Sequence, residues 1–355
     1  MDIAVVGFAE APCVRHGITT TNGVEMLMPV FSDVLAATGL SKQDIGFWCS
    51  GSSDYLAGRA FSFVSAVDAI GAFPPIVESH VEMDGAFALY EAYVKLLMGE
   101  AETALVYGFG KSSAGHLRRV LALQLDPYVL APLWPDSVSI AALQARLGIE
   151  AGLYSEREMA EVAVRSRADA RSNDKAQIAG ESTVDELLDA EYVADPLRAH
   201  DCAPVGDGAA AVVLAAGDTA RRLSPRPAWI TGFAHRVESP GLGQRDLTTS
   251  SSTAAAAEAA GAGPAAGARG VDVAELHAPF THQEILLTRA LRLKADTRIN
   301  PSGGALCANP MFAAGLSRIG HAAREVAEGR ADRALAHATS GPALQQNLVC
   351  VMEAR

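Results

Sequence analysis

An α/β protein built from two similar halves is what this sequence predicts, and three observations carry the prediction. Short strand-like runs alternate with helical apolar periodicity over residues 1–110. The same alternation returns over residues 226–355. Between them, residues 111–200 are polar, carry Pro127, Pro132 and Pro135, and break the rhythm. Strand–helix–strand alternation marks a mainly parallel sheet. Two halves of like rhythm suggest a duplication, although no repeat is readable residue by residue. A length of 355 residues suits two fused halves or one large α/β unit.

Taken in order, Ile3 to Val6 reads as a buried strand that turns at Gly7. Residues 23–38 place Val24, Leu27, Val30, Phe31 and Val34 on one helical face, and Gly39 stops the helix. Ser41–Asp44 turns into a strand near Phe47-Trp48-Cys49, and a loop follows at 51–56. After the β-branched segment Pro75-Ile76-Val77 comes Glu82-Met83-Asp84-Gly85, which opens a helix carrying Ala86, Leu89, Tyr90, Tyr93, Val94 and Leu97 and ending at Gly99. Thr103 to Tyr107 is the next strand. The segment 111–200 reads as an inserted cap with polar helices at 136–147 and 155–173. Asp201 to Ala210 is a turn-rich approach to a buried strand at 211–215. The second half then supplies a strand at 227–233, a helix at 252–260, a Gly/Ala loop at 261–270 and a strand at 271–277. A helix at 281–294, a glycine-rich turn at 300–310, a helix at 311–328 and strands at 332–338 and 346–353 complete it.

Nearly half the residues are hydrophobic and one fifth are charged, enough for a large core. A net charge of -12 argues against a general nucleic-acid binder, which needs a basic face. Five cysteines without C-x-x-C spacing fit a reducing compartment, and no apolar run is long enough to span a membrane. With no basic leader at the start, a cytoplasmic location is the expectation.

Several familiar motifs fail on inspection. Gly110-Lys111-Ser112 lacks the earlier glycine of a P-loop, because position 105 is leucine. His277 and His282 are five apart and do not share a helical face as zinc ligands would, so no metal is expected. Neither G-x-S-x-G nor a G-x-G-x-x-G after the first strand occurs.

What remains is a set of strand-end loops, where α/β sheets build their sites. The Glu82–Gly85 junction presents two carboxylates at a helix N-terminus, where Asp84 either caps the helix or serves the site. His277 lies at a strand end. Asn300-Pro301-Ser302-Gly303-Gly304 precedes Cys307-Ala308-Asn309-Pro310, and Thr339-Ser340-Gly341 connects the last two strands. In the inserted segment, Arg118 and Arg119 could meet an anionic ligand or form a solvated basic patch.

Together these residues resemble the thiolase superfamily, in particular its sterol-carrier-type, lipid-transfer branch. The similarity covers nearly the whole chain. Asp201 to Ala210 matches the family's D-x-x-P-x-x-D-G-A-A, Asn300 to Gly304 matches N-P-S-G-G, and Glu275-Leu276-His277 stands where this branch carries the histidine of E-x-H-D-x-F. The resemblance implies a thiolase fold of two duplicated halves in a five-layered αβαβα arrangement with an inserted loop domain. It assigns 1–110 and 201–225 to the N-terminal half, 111–200 to the insertion and 226–355 to the C-terminal half. It also implies an acyl-CoA substrate, no further cofactor, and a dimer with itself or with another thiolase-like protein.

The family's catalytic groups are replaced. Its C-x-S-G nucleophile motif reads Glu82-Met83-Asp84-Gly85, its glycine-histidine-proline reads Ala308-Asn309-Pro310, and its C-x-G reads Thr339-Ser340-Gly341. A carboxylate does not stand in for a thiolate, since the anhydride it would form is far more labile. Retro-aldol cleavage of a β-hydroxyacyl-CoA needs only a base and donors at the thioester oxygen. The expected donors are His277 and Asn309. The expected base is Glu82, Asp84 or His282, with burial raising a carboxylate toward neutrality. Cys307, Gly304, Ser340, Gly341, Arg118 and Arg119 are the expected substrate contacts. Actinobacterial lipid-transfer homologues include steroid side-chain aldolases that work with a small OB-fold acyl-CoA-binding partner, generally with tyrosines in these loops. No tyrosine occurs between 275 and 345 here. A non-catalytic partner subunit and a thiolase using Cys307 are the alternative readings.

Overall fold

The structure is a computed structural model that describes residues 2–19, 21–57, 61–263 and 270–355. The first half runs β1 (Ile3–Glu10), α1 (Gly23–Thr38), β2 (Phe47–Gly51), α2 (Asp54–Ala57), α3 (Ser62–Ile70), β3 (Glu78–Val81), α4 (Gly85–Leu97) and β4 (Thr103–Lys111). Next come α5 (Leu117–Ala122), α6 (Ser137–Glu150), α7 (Glu156–Asp169), α8 (Val184–Leu188) and a small hairpin of β5 (Tyr192–Ala194) and β6 (Leu197–Arg198). The chain returns through β7 (Asp207–Ala216) and α9 (Gly217–Leu223). The second half is β8 (Ala228–Val237), α10 (Ser251–Ala259), β9 (Val273–Leu276), α11 (Thr281–Ala290), β10 (Arg298–Ile299), α12 (Ala314–Ala327), β11 (Arg333–Ser340) and β12 (Gln346–Glu353).

Among the described residues, ten strands form one sheet in the order β10-β9-β11-β12-β8-β1-β7-β4-β2-β3. The sheet is mixed rather than mainly parallel. β2 runs parallel to β3 and β4, and β9 parallel to β10 and β11, while the other neighbours are antiparallel. Sequence could not separate these cases, because strands covered on both faces read as continuous apolar runs in either direction. β7, for instance, is buried at all ten positions.

The duplication hidden in the sequence is visible in the topology. Read from each edge, β3-β2-β4-β7-β1 and β10-β9-β11-β12-β8 have the same order and the same pattern of directions. They meet where Ala4 and Val5 of β1 pair with Trp229 and Ala228 of β8. α4 and α12 lie between the two half-sheets in one apolar cluster that draws Ala86, Leu89 and Leu96 from the first helix and Leu316, Ile319 and Val326 from the second. α1 and α3 cover the outer face of the first half-sheet, through Leu27, Phe31, Val34 and Ile70. α10 and α11 cover that of the second, through Ala256, Leu286 and Leu287. The layers are therefore α, β, α, β, α, as the resemblance implied.

Local chemistry explains most element ends. Asn22 and Glu25 form a reciprocal capping box at the start of α1, and Gly39 closes it at φ 68°. Other boundaries differ from the sequence reading. The strand before α4 is the polar Glu78–Val81 rather than Pro75–Val77. The predicted helix 311–328 begins only at Ala314. Phe312 adopts φ 66°, and its carbonyl accepts the Gly85 N–H at 2.8 Å. Gly108 allows that approach, since a Cβ there would come within 2.2 Å of the same oxygen. The predicted helix 155–173 ends at Asp169 in a short 3-10 turn, the helix 281–294 ends at Ala290, and the predicted loop 51–56 runs into a short helix, Asp54–Ala57. Most of the predicted loop 261–270 lies outside the described residues.

Candidate active site

The N-termini of α4 and α12, one from each half, meet at a single carboxylate. Asp84 caps α4 through the Ala86 N–H at 2.9 Å and accepts the Gly315 and Leu316 N–H groups of α12, also at 2.9 Å. A buried carboxylate suits this place, where unpaired amides and two helix dipoles concentrate positive potential. Burial pushes the Asp84 carboxyl upward, against the pull of the three amides and of Arg318. Gly315 must be glycine here, since a Cβ would approach Asp84 Oδ1 to 2.6 Å. With its oxygens engaged by backbone, Asp84 is positioned as a clamp between the halves.

His277 follows β9 and is buried. Its Nδ1 faces the Thr339 N–H at 3.4 Å and its Nε2 lies 3.1 Å from Asn309 Oδ1. A backbone amide can only donate, so Nδ1 accepts and the proton sits on Nε2, which donates to Asn309. Burial first, and Arg318 second, bring the imidazole down to about 4, against the opposing Asn309 bond. His277 is therefore a neutral imidazole at neutral pH. With its oxygen occupied, the half-buried Asn309 side chain keeps its amide NH2 as a donor. The chain Thr339 N–H, His277, Asn309 is a polarised hydrogen-bond relay directed outward.

Beneath it lies a buried charge network. Arg318 Nη1 donates to Glu275 Oε2 at 2.9 Å and to Ser302 Oγ at 2.7 Å, and Ser302 also donates to Glu275 through its N–H and hydroxyl. Glu275 and Arg318 are 0% and 1% exposed. Asn300 joins the same floor, taking the Leu276 N–H at 2.6 Å and donating to Glu284 at 2.7 Å. The N-P-S-G-G stretch thus fixes the end of the strand that carries His277. In the Asp201–Ala210 stretch, Asp201 accepts the Thr281 hydroxyl at 2.6 Å and Asp207 accepts the Ser113 N–H and hydroxyl, so both aspartates tie neighbouring segments together.

The remaining expected residues fall in different places. Glu82 is exposed rather than buried and accepts the Ser53 hydroxyl at 3.3 Å. Next to it, Met83 Sδ lies 3.7 Å from Gln346 Nε2, which brings the junction to the β11–β12 turn beside Ser340 and Gly341. His282 is fully buried on α11, with Nε2 on Gln144 Oε1 at 3.2 Å, and burial lowers it to about 3. It stitches α6 to α11, and a base role does not fit that position. Cys307 is also fully buried, its thiol pushed up to about 12, and its carbonyl accepts the Gln177 and Ile178 N–H groups. It offers neither a thiolate nor a surface to substrate. Gly304 serves the backbone: at φ 65° it packs against Asn300, where a Cβ would come within 2.7 Å of Nδ2.

Arg118 and Arg119 line an open groove of about 390 Å³ with Ala122, Trp134 and Asp136. Arg118 is already paired with Asp136 at 2.6 Å. Ala122 shares an apolar cluster with Ala343, just past Gly341, so the groove adjoins the turn after β11. Sequence reasoning did not pick out Arg318 or Gln144, and it quoted Glu275 and Thr339 only within motifs, without a role for either side chain or amide. A glutamate inside Val273-Ala274-Glu275-Leu276 was the available signal, because a charge in a buried strand requires a partner. Among the described residues, no cluster of His, Cys, Asp and Glu is arranged to hold a metal, and no helix is long and apolar enough to cross a membrane.

Comparison with known proteins fits this architecture. No protein-family model matches the sequence. The chain is 30% identical over 199 residues (51% of its length) to an acetyl-CoA acetyltransferase of Methanothermobacter thermautotrophicus, covering 52% of that protein. It is 26% identical to sterol carrier protein 2 of Gallus gallus over 66% of its own length and 49% of the relative's. Over 106 residues, 28% of each chain, it is 32% identical to the 17-hydroxy-3-oxo-4-pregnene-20-carboxyl-CoA lyase of Mycobacterium tuberculosis. The chain thus spans about half the length of the first two relatives. In structure it is similar to an Ltp2-ChsH2(DUF35) aldolase, with TM-score 0.83, 18% identity and 99% and 98% of the two chains covered. It is also similar to human mitochondrial 3-ketoacyl-CoA thiolase, with TM-score 0.79, 16% identity and 100% and 99% covered. The chain has the thiolase fold, and the relatives it matches in sequence include thiolase-superfamily proteins. Within that superfamily, the relatives support the lipid-transfer branch.

Proposed function

We propose that this protein is a lyase that cleaves a carbon–carbon bond in a β-hydroxyacyl-CoA by retro-aldol reaction, with a bulky acyl group such as a steroid side chain. The observation that carries the proposal is the His277–Asn309 relay, which directs a donor outward in a site without a thiolate. The Asn309 amide donates to the thioester oxygen, and His277 holds and polarises that amide. Glu82, the exposed carboxylate at the same cluster of strand ends, takes the β-hydroxyl proton. As that proton leaves, the oxygen's electrons form the new carbonyl and the Cα–Cβ bond breaks. Its electron pair becomes the thioester enolate, stabilised at oxygen by Asn309 and then protonated at carbon. Ser340 and Gly341 border the acyl group, and Arg118 and Arg119 meet the CoA phosphates. The similarity to a steroid-CoA lyase and an aldolase supports the reaction class.

The enzyme acts in an assembly, as a homodimer or with another thiolase-like chain, together with an OB-fold acyl-CoA-binding protein. A second reading, a non-catalytic subunit beside an active homologue, is favoured by one observation. Asp84 fills with its own carboxylate the helix N-termini that an acyl-transfer enzyme would need for its chemistry. Co-purification with the products of neighbouring genes, followed by a cleavage assay with a β-hydroxyacyl-CoA, separates the two. A carbonyl product and a shortened acyl-CoA support the lyase. A stable heterodimer with a cysteine-bearing thiolase homologue, without cleavage, supports the subunit reading.

A further inference from the structure

Arg318 is a buried cation that acts on His277, and the proposed reaction leaves it without a role. It sits in the second turn of α12, whose first turn holds Asp84, and reaches under β9 to Glu275, two residues before His277. One guanidinium nitrogen spans Glu275 and Ser302, and Ser302 belongs to the loop that leads to Asn309. The strand carrying the imidazole and the loop carrying its amide partner are therefore bolted to the same charge. Around His277, Arg318 of α12 is the charged group that acts on the ring, Asn309 is its hydrogen-bond partner, and His337 of β11 is the titratable neighbour. His337 is itself held neutral by burial, with Nε2 on Asn347 at 2.9 Å. The carboxylates nearby are engaged elsewhere: Glu275 by Arg318 and Ser302, Asp84 by three amides.

We propose that Arg318 is a positioning residue: by anchoring Glu275 and Ser302 and presenting a buried positive charge to His277, it fixes the imidazole in the Nε2–H form that orients Asn309. This deepens the lyase reading and rests on it for its catalytic meaning. The physical reason is direct. A protonated ring would have to give up the Thr339 N–H, because Nδ1 would then carry a proton of its own, and Arg318 opposes that second charge. A neutral side chain at 318 would allow His277 to protonate and turn, and Asn309 would lose its fixed acceptor bond.

The test is an NMR titration of the full chain with labelled histidine, in which the His277 signal is identified by its loss in His277→Gln. Arg318→Met is expected to move the His277 midpoint upward by about one pH unit or more, while Arg318→Lys leaves it near the wild-type value. If Arg318→Met does not fold, Arg318→Gln, which keeps a neutral donor for Glu275 and Ser302, serves as the second test, with the same upward shift expected. An unchanged midpoint in the folded neutral variant would overturn the proposal. This reading requires no catalysis, so it survives or fails separately from the lyase reaction. In the cleavage-competent assembly, the acid limb of the kcat profile should move upward with the midpoint in Arg318→Met and return in Arg318→Lys. Loss of rate at all pH values alike, without recovery in Arg318→Lys, would mark a purely structural residue.

Discussion

Asp84 accepts the backbone N–H of Gly315 at 2.9 Å, and this bond joins the first helix turn of one half of the molecule to that of the other. The same carboxylate holds Leu316 and Ala86, so one side chain satisfies three amides drawn from two helices. It belongs to the Glu82-Met83-Asp84-Gly85 stretch, which the sequence resemblance sets against C-x-S-G.

Removing that carboxylate therefore acts on the whole fold. Asp84→Ala leaves three buried amides without an acceptor and is expected to cost about 3 kcal/mol or more. Asp84→Asn keeps one acceptor oxygen and is expected to cost about half as much. Urea denaturation of both variants measures the difference, and equal stability of Asp84→Ala and wild type would contradict the clamp.

Acid should destabilise the protein through its buried histidines. His277 is lowered to about 4, and His282 and His337 to about 3, in each case chiefly by burial. A histidine whose folded value lies below the unfolded one contributes fully above about pH 6.5, and its contribution falls as pH drops toward the folded value. Each adds a slope of about 1.4 kcal/mol per pH unit in that window. Glu10 works in the same direction further down. Burial alone would raise it, but His321 and Arg318 bring it to about 2, so its contribution is lost below about 4.5. Denaturation midpoints should hold steady from pH 8 to 7 and fall steeply from 6 to 4. His282→Gln should remove one histidine's share of the slope between pH 6 and 5, about 1.4 kcal/mol per pH unit.

The thiol of Cys307 should be inert. It is fully buried, and its raised value leaves almost no thiolate at neutral pH. Iodoacetamide should fail to label it in the folded protein, and Cys307→Ala should retain cleavage within about twofold. Rapid labelling together with loss of turnover would revive a covalent mechanism.

The groove at Arg118 and Arg119 should act on binding. Arg119→Ala is expected to raise KM for the acyl-CoA about tenfold with little change in kcat, as loss of a charge-assisted phosphate contact does. Arg118→Ala also frees Asp136, whose carboxyl Arg118 helps hold below its usual range, and should act more strongly. A fall in kcat at constant KM would place these arginines elsewhere in the reaction.

Much of this architecture was legible because it depends on local rules. The Gly39 stop and the Asp84 cap are short-range hydrogen-bond chemistry, and each stands where the sequence put it. Strand direction was not legible, since β4 and β7 are equally apolar whether they run together or opposed. The site divided in the same way. His277 and Asn309 were found from strand-end loops, and they do meet. His282 was misread because its partner, Gln144, lies 138 residues away in the inserted segment. Arg318 lies 43 residues from Glu275, and only the fold brings the two together. Long-range pairing of polar groups is what the sequence concealed.

The most direct test of the lyase reading is the rate of carbonyl release from a β-hydroxyacyl-CoA by the purified assembly, with Glu82→Gln and Asn309→Ala beside the wild type. The account predicts cleavage by wild type and a fall of about 10²-fold or more in kcat for each variant, with assembly and stability unchanged. Cleavage that proceeds at the wild-type rate in both variants would place the chemistry in another chain and contradict it.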